Sequence, residues 1–139
     1  MLNKIIIYGR LVRDPELRFT QSQTPVATFT VAVDRDFQSG GTEDKTDFIE
    51  CAAWRKTGEF VSKNFRKGSL IVVSGRLQSR KWEDRDGNKR VAWEINAESV
   101  YFGGSKKDND SYQAQQAQNV SAAEFEELGD SDSDEGLPF

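Results

Sequence analysis

Alternation of apolar side chains with a period of two is the feature that most constrains how this chain can fold. In VATFTVAVDR, residues 26–35, every second side chain is apolar, a pattern typical of a half-buried β-strand. Segments of similar character occur at residues 2–12, 47–54, 69–82 and 89–97, which read LNKIIIYGRLV, DFIECAAW, SLIVVSGRLQSRKW and KRVAWEINA. The sequence therefore predicts five strands within about the first hundred residues.

One helix is predicted between the third and fourth of these strands. Thr57 can cap its start, Glu59 falls in its first turn, and Gly68 provides a C-terminal stop. Five strands of this length bury only a small core, and they leave open edges unless the sheet closes on itself. We therefore expect an all-β domain, a five-stranded OB-fold barrel with one helix between strands 3 and 4.

The last two predicted strands are joined by a short polar turn, Asp86-Gly87-Asn88. Asp84, Asp86 and Asn88 also resemble the start of a calcium-binding loop. That motif has glycine at its sixth position and an acid at its twelfth. Counted from Asp84, the glycine here stands at the fourth position and the twelfth residue is Ile95. A solvated hairpin turn is the interpretation we adopt.

Composition and charge change sharply after Gly104. Residues 108–139 contain nine acids and no lysine or arginine, so residues 1–107 carry a net charge of +5. A basic body next to an acidic segment is typical of a protein with a polyanionic partner. We predict an OB-fold domain at residues 1–104, a disordered linker at 105–130 that is too polar to bury a core, and an acidic tip at 131–139.

The composition of the chain gives little support for a catalytic function. The chain has no histidine and one cysteine, which excludes His-based triads and Cys-rich zinc sites. Neither GxxxxGK[ST] nor GxSxG occurs. We expect a protein that is not an enzyme and that uses no cofactor or metal. The amino-terminal MLNKIIIYGR has too short an apolar run for a signal peptide or membrane span, so we expect a cytoplasmic location.

Four aromatic residues have the context of exposed side chains. Phe48 and Trp54 share a strand face with Glu50, opposite the small apolar set Ile49, Cys51 and Ala53. Trp82 lies in the polar hairpin sequence SRKWEDRDGN, and Phe37 enters a Gly-rich loop. Packing against a loop or a second subunit is the alternative role for such residues.

Other aromatic residues are predicted to lie in the core. Trp93 alternates in phase with Val91 and Ile95, which assigns it to the buried face of its strand. The same assignment is made for Phe29, Phe60 and Phe65.

Basic residues accompany the four exposed aromatics in the sequence. Those within two residues of an aromatic are Arg35, Arg55, Lys56, Arg80 and Lys81. Single-stranded nucleic acid needs this combination, because each base can stack on an aromatic ring, worth about 1–3 kcal/mol, while cations follow the phosphates. The pattern indicates a surface for single-stranded nucleic acid.

Several longer stretches resemble the bacterial-type single-stranded DNA-binding proteins. They are MLNKIIIYGRLVRDPELRFT, VATFTVAVDRDF, TDFIECAAWRKTGEFV, RKGSLIVVSGRLQSRKWED and the terminal DSDEGLPF. The resemblance implies an OB-fold body, usually a homotetramer wrapped by single-stranded DNA, and an acidic tip that recruits replication, recombination and repair enzymes. The base-stacking positions of the family fall on Phe37, Phe48, Trp54 and Trp82. Its phosphate-contacting positions fall on Lys4, Arg18, Arg35, Arg66, Lys67, Arg80 and Lys81.

The final residues combine acids with an apolar end. A partner protein could take the Phe139 ring into a pocket, pair with the terminal carboxylate and hold the upstream acids on a basic rim. The residues expected to bind partners are Asp132, Asp134, Glu135, Leu137, Pro138 and Phe139. A simple solubility tail is the alternative.

The function expected from the sequence is sequence-tolerant binding and protection of single-stranded DNA during replication, recombination and repair. We also expect recruitment of partner enzymes and association with the nucleoid in the cytoplasm. Two alternatives remain open at this point: an RNA-binding OB or cold-shock-like domain, and a protein-interaction adaptor that uses its exposed aromatics in interfaces.

Overall fold

The computed structural model describes residues 1–36 and 45–104, and β-strands make up most of them. The strands are β1 (Ile5–Leu11), β2 (Glu16–Phe19), β3 (Pro25–Asp34), β4 (Thr46–Trp54), β5 (Leu70–Glu83) and β6 (Lys89–Phe102). One helix, α1 (Arg55–Asn64), follows β4. It therefore lies between the third and fourth predicted strands. The predicted linker and acidic tip lie outside the described residues.

The strands form one sheet in the order β1-β5-β6-β4-β3-β2. β1 also pairs with β3, with Arg10 opposite Ala32 and Leu11 opposite Val31. β1, β5, β6, β4 and β3 are thus joined in a ring, which confirms the predicted all-β class with a sheet that closes on itself. β2 is a further strand that was not predicted. It has only four residues, too few to display a period of two, and it pairs with the edge of β3.

The hydrophobic core consists of the side chains that point into this ring. Val31, Ile71 and Ile95 are fully buried there. The predicted inward face of β3 is confirmed, and Cys51 and Ala53 of β4 also belong to the core. Phe29 and Phe65 are buried as predicted, whereas Phe60 is 38% exposed and contacts Phe65 and Phe102 edge-on.

Helix α1 starts three residues earlier than the sequence predicts, with its N-cap at residue 54 and not at residue 57. Trp54 occupies the N-cap position without a side-chain hydrogen bond, and no acid lies in the first turn. The predicted roles of Thr57 and Glu59 at the helix start are therefore wrong. The chain passes from β4 into the helix without a linker, because Arg55 takes a left-handed φ of 58° and reverses the direction of the backbone. No residue remains between strand and helix to act as a capping side chain.

The C-terminal end of α1 is closed by hydrogen bonds to its last carbonyls. The Phe65 N–H donates to the Val61 carbonyl at 3.1 Å. The Arg66 guanidinium donates to the carbonyls of Ser62 at 3.0 Å and Phe65 at 2.9 Å. The predicted stop at Gly68 is wrong, because the helix ends at Asn64 and Gly68, with a φ of 85°, lies in the turn that leads into β5.

The hairpin of β5 and β6 extends beyond the ring as a two-stranded arm, residues 78–94. β1 pairs with β5 only as far as Gly75, and β4 pairs with β6 only at Ile95, Asn96 and Ala97. Past these points each strand has only its hairpin partner. Trp93 is consequently 61% exposed, and its predicted core position is wrong. Its phase with the buried Ile95 is correct, but the core ends at Ile95.

The tip of the arm is a hydrogen-bonded turn around Asp84. One oxygen of the Asp84 carboxylate accepts from the N–H groups of Asp86 at 3.0 Å and Asn88 at 2.9 Å. The other accepts from Arg90 Nε at 3.0 Å. The Arg90 hydrogen bond, followed by that of the Asn88 backbone, lowers the pKa of Asp84 from its usual 3.8. The carboxylate that could have begun a calcium loop is thus committed to the turn, as predicted.

Within residues 1–36 and 45–104, no three His, Cys, Asp or Glu side chains come together as metal ligands. No helix in this part of the chain is long and apolar enough to cross a membrane.

Candidate functional site

Three of the four predicted stacking residues are exposed in the structure, and the fourth, Phe37, lies outside the described residues. Phe48 is 66% exposed, Trp54 44% and Trp82 45%. Within the described part of the chain, none of these three rings contacts another aromatic ring.

The three rings share one continuous face of the sheet, because directly paired side chains in neighbouring strands point to the same side. Ala52, in phase with Phe48 and Trp54, pairs with Asn96 of β6, and Asn96 pairs with Arg76 of β5. Along β5, every second residue from Arg76 keeps to this side. We call Phe48, Trp54, Arg76, Arg80 and Trp82 the outer face.

Trp54 lines a surface groove of about 660 Å³ between the β2–β3 turn and the hairpin. The groove combines an indole ring, a cation and several hydrogen-bonding groups. Its lining residues are Thr20, Ser22, Thr24, Trp54, Arg55, Gln78 and Asn96. An aromatic platform next to amide and hydroxyl groups suits a heterocyclic base, and the guanidinium suits the phosphate beside it.

Trp82 lines a second groove of about 400 Å³ at the tip of the arm. Trp82 pairs directly with Arg90 across the hairpin. Lys81 and Lys89 also line this groove. Of these cations only Arg90 shares the side of Trp82, and Glu83 also lines the groove, so an exposed indole beside a cation occurs again at the far end of the outer face.

Three of the predicted phosphate contacts are engaged in surface ion pairs. Lys4 binds Glu98 at 3.1 Å, Arg18 binds Glu16 at 2.6 Å, and Arg35 binds Asp47 at 2.8 Å. The Arg35 hydrogen bond lowers the pKa of Asp47 from its usual 3.8. Exposed pairs of this kind contribute at most about 1 kcal/mol. The cations can therefore be transferred to a phosphate at small cost.

The remaining predicted cations are divided between the outer face and other surfaces. Arg55, Arg80 and Lys81 form no salt bridge with any residue in the ranges that the structure describes. Lys56 lines a separate groove with Phe60 and Tyr101. The structure does not bring Lys56 to the outer face.

Arg66 and Lys67 also lie away from Trp82. Arg66 caps the C-terminal end of α1, and the Lys67 backbone N–H binds Asp14 at 2.8 Å. Both precede β5, whereas Trp82 lies near its far end, about 40 Å away at 3.3 Å per residue. Their phosphate contacts stay a prediction for a part of the surface distant from Trp82.

Two carboxylates also lie on the same side of the sheet as the aromatics. Glu50 stands between Phe48 and Trp54 on β4, and Glu94 pairs with Gln78. Burial, and then the charges of Glu50 and Glu94, raise the pKa of Cys51 to about 12. The thiol is therefore neutral and is not a nucleophile.

Sequence reasoning missed Arg76, which has no aromatic residue near it in the chain. Its Nε lies 3.8 Å from Glu98, the same carboxylate that binds Lys4. The available signal was its phase, since Arg76, Arg80 and Trp82 alternate along one strand. Trp93 was missed for the opposite reason, because its phase with Ile95 placed it in the core.

Comparison with known proteins gives consistent matches. The model of the "Single-strand binding protein family" matches residues 2–103. Single-stranded DNA-binding protein 3 of Listeria innocua is 41% identical over 150 residues, covering 99% of this chain and 94% of the relative. The single-stranded DNA-binding protein of Caldanaerobacter subterraneus is 45% identical over 102 residues, covering 73% and 68%. Single-stranded DNA-binding protein A of Bacillus subtilis is 47% identical over 102 residues, covering 73% and 59%. These names denote binding and no reaction, in agreement with the non-enzymatic interpretation.

Proposed function

The chain belongs to the single-strand binding protein family, and from this premise we propose that it binds single-stranded DNA with little sequence preference. Binding of this kind protects DNA strands exposed during replication, recombination and repair. The observation that carries the proposal is the outer face, on which three exposed aromatic rings share one side of the sheet with Arg76 and Arg80.

The geometry of the outer face supports a stacking mode of recognition. Phe48 and Trp54 are six residues apart on β4, about 20 Å at 3.3 Å per residue, and Trp82 extends the surface along the arm. Bases stack on these rings, and Arg55, Arg76 and Arg80 hold the phosphates between them. Glu50 and Glu94 repel phosphates, so the sugar-phosphate backbone runs outside the strip that these two residues occupy.

Two alternative functions are distinguished by one titration. Tryptophan fluorescence is measured as dT oligomers, rU oligomers and a duplex of matched length are added. We expect quenching by dT, weaker quenching by rU, and little by the duplex, which hides its bases from the rings. A preference for rU would identify an RNA-binding domain, and no quenching by any oligomer would identify a protein-interaction adaptor.

The acidic tip is included in the proposal as the site that recruits replication, recombination and repair enzymes. The Listeria innocua relative supports this, because its match extends over 99% of the chain and so includes the tip. The test is Phe139→Ala, which should abolish capture of a purified partner enzyme while the affinity for dT oligomers stays unchanged. Unchanged capture would leave the tip as a solubility segment.

A homotetramer is also part of the proposal. Its support is a set of exposed apolar side chains on β1 and β6, away from the outer face: Ile6 at 65%, Tyr8 at 52% and Tyr101 at 57% exposure. The mass in solution tests it, and a monomeric mass would contradict it. A binder of chromosomal single strands belongs in the cytoplasm at the nucleoid, which is where we place this protein.

A further inference from the structure

Trp93 is exposed because the core ends before it, and neither the core nor the proposed outer face gives its indole ring a role. Trp93 is 61% exposed, and its partner across the hairpin is Ser79, whose side chain is too small to cover an indole. Among the described residues it contacts no other aromatic ring. It also lies on the side of the arm opposite Trp82, because it is in phase with the buried Ile95.

Trp93 is part of an apolar strip on this side of the arm. Val91, two residues away, is 54% exposed, and Leu77, which pairs with Ile95, is 37% exposed. Single exposed apolar residues are common, but neighbouring ones on one side of a ribbon form a contiguous patch, and such patches mark binding surfaces. We call Leu77, Ser79, Lys81, Val91 and Trp93 the inner side of the arm.

On the inner side, Glu83 pairs directly with Lys89 near the tip and their charges offset each other, so Lys81 is the net charge that identifies the occupant. Lys81 pairs directly with Val91, so its cation lies one step diagonally from the Trp93 ring. Lys81 forms no salt bridge with any residue in the described ranges. A planar apolar ring with an available cation at this spacing matches one nucleotide, in which a flat base adjoins a phosphate.

We propose that the inner side of the arm is a second stacking surface for single-stranded DNA, with Trp93 as its base-stacking residue and Lys81 as its phosphate contact. The inference rests on the proposed function and extends it to a surface that the outer face does not include. The arm is a two-stranded ribbon whose edges carry no further strand, so a flexible DNA strand can pass over an edge from Trp82 to Trp93. The DNA then contacts both sides of the arm.

Three substitutions of Trp93 in the full-length protein test the proposal. Trp93→Ala should weaken the affinity for long dT oligomers by about 5- to 150-fold, the range for loss of one stacked base. Trp93→Phe keeps a flat ring and should retain most of the affinity. Trp93→Leu keeps apolar surface without a flat ring and should bind as weakly as the alanine variant. Because Trp93 is exposed, all three should melt at the wild-type temperature.

A protein with Trp93 as its only tryptophan allows contact between DNA and this residue to be measured directly by fluorescence. In the Trp54→Phe, Trp82→Phe double variant, dT oligomers should quench the remaining fluorescence. Wild-type affinity of Trp93→Ala, together with weaker binding by Trp54→Ala, would overturn this inference and leave the proposed function intact. Failure of the wild-type protein to bind dT would overturn both. Normal affinity of the leucine variant, or a lower mass in solution for the alanine variant, would show instead that the inner side joins copies of the chain.

Discussion

At the residue scale, Trp54 and Trp82 are large apolar side chains that their strands leave exposed to solvent. At 44% and 45% exposure, these two side chains keep much of their water contact when the chain folds, so each contributes less to folding than a fully buried tryptophan would. Each of these rings lies in a groove with at least one cation, which is the environment a stacked nucleotide needs. Their value to the protein is therefore expected in binding and not in stability.

We predict that Trp54→Ala and Trp82→Ala each weaken binding of dT oligomers by about 1–3 kcal/mol and leave the melting temperature unchanged. Phe65→Ala is the matched control, because Phe65 is fully buried and stacks on Phe102 at 5.0 Å. That variant should lose about 3–5 kcal/mol of folding free energy. Thermal melting and fluorescence titration measure the two effects. A tryptophan variant that loses stability and keeps its affinity would reverse the assignment.

Arg55 permits a second prediction at this scale, because its left-handed φ of 58° is strained for any residue with a Cβ. Arg55→Gly removes both the cation and the strain, whereas Arg55→Ala removes the cation alone. We expect the glycine variant to be more stable than the alanine variant by about 1 kcal/mol. Both variants should bind dT oligomers less tightly than the wild type, to the same degree. A higher melting temperature for the alanine variant than for the glycine variant would show that the backbone at residue 55 is not strained.

At the element scale, the β5–β6 hairpin is the unit that links the core to the candidate site. Its first part is held between β1 and β4 in the ring, and its second part projects as the arm. The arm has no core of its own and depends on its cross-strand pairs and on the turn around Asp84. An isolated two-stranded ribbon is only marginally stable, so the turn has a large influence on the arm.

The lowered pKa of Asp84 makes the order of this turn depend on pH. A carboxyl group with a folded pKa below its usual 3.8 stabilises the turn fully above about pH 4, and this contribution is lost as pH falls through the folded pKa. In a Trp54→Phe, Trp93→Phe variant, Trp82 fluorescence should report this change. Adding Asp84→Asn, which cannot titrate, should abolish that transition. If the Asp84→Asn variant showed the same acid transition, a group other than Asp84 would be responsible for it.

The same hairpin shows how far the sequence alone could predict this structure. Strand phase is a local property, and it correctly placed Phe48 and Trp54 outside and Cys51 inside. The exposure of Trp93 depends on where β1 and β4 stop pairing, which no pattern within β6 reveals. The start of α1 was missed because the left-handed conformation of Arg55 lets the chain pass from β4 directly into the helix, so no separate capping residue marks the start. The sequence therefore predicted the aromatic residues of the outer face, but it did not predict how far this face extends over the sheet.

At the scale of the whole molecule, charge is divided between a body of +5, residues 1–107, and nine acids in residues 108–139. The cations of the outer face are thus in the same molecule as a polyanionic segment. A tethered segment has a high effective concentration near its own body. It is therefore expected to compete weakly with DNA phosphates for the same cations.

Deleting residues 108–139 is predicted to tighten binding of dT oligomers at low salt. The difference should fade as salt rises, because the Debye length falls from about 10 Å at 0.1 M to about 3 Å at 1 M. Affinities of the full-length and truncated proteins across a salt series measure this effect. Weaker binding by the truncated protein would show that these residues contribute contacts to DNA.

The central claim is that single-stranded DNA lies on the outer face, and photocrosslinking tests this most directly. A dT oligomer containing bromodeoxyuridine is crosslinked to the full-length protein by light, and the modified residues are mapped by mass spectrometry. We predict adducts at Phe48, Trp54 and Trp82, with fewer as salt is raised. Adducts confined to the exposed side chains Ile6, Tyr8 and Tyr101, with none on the outer face, would contradict the claim.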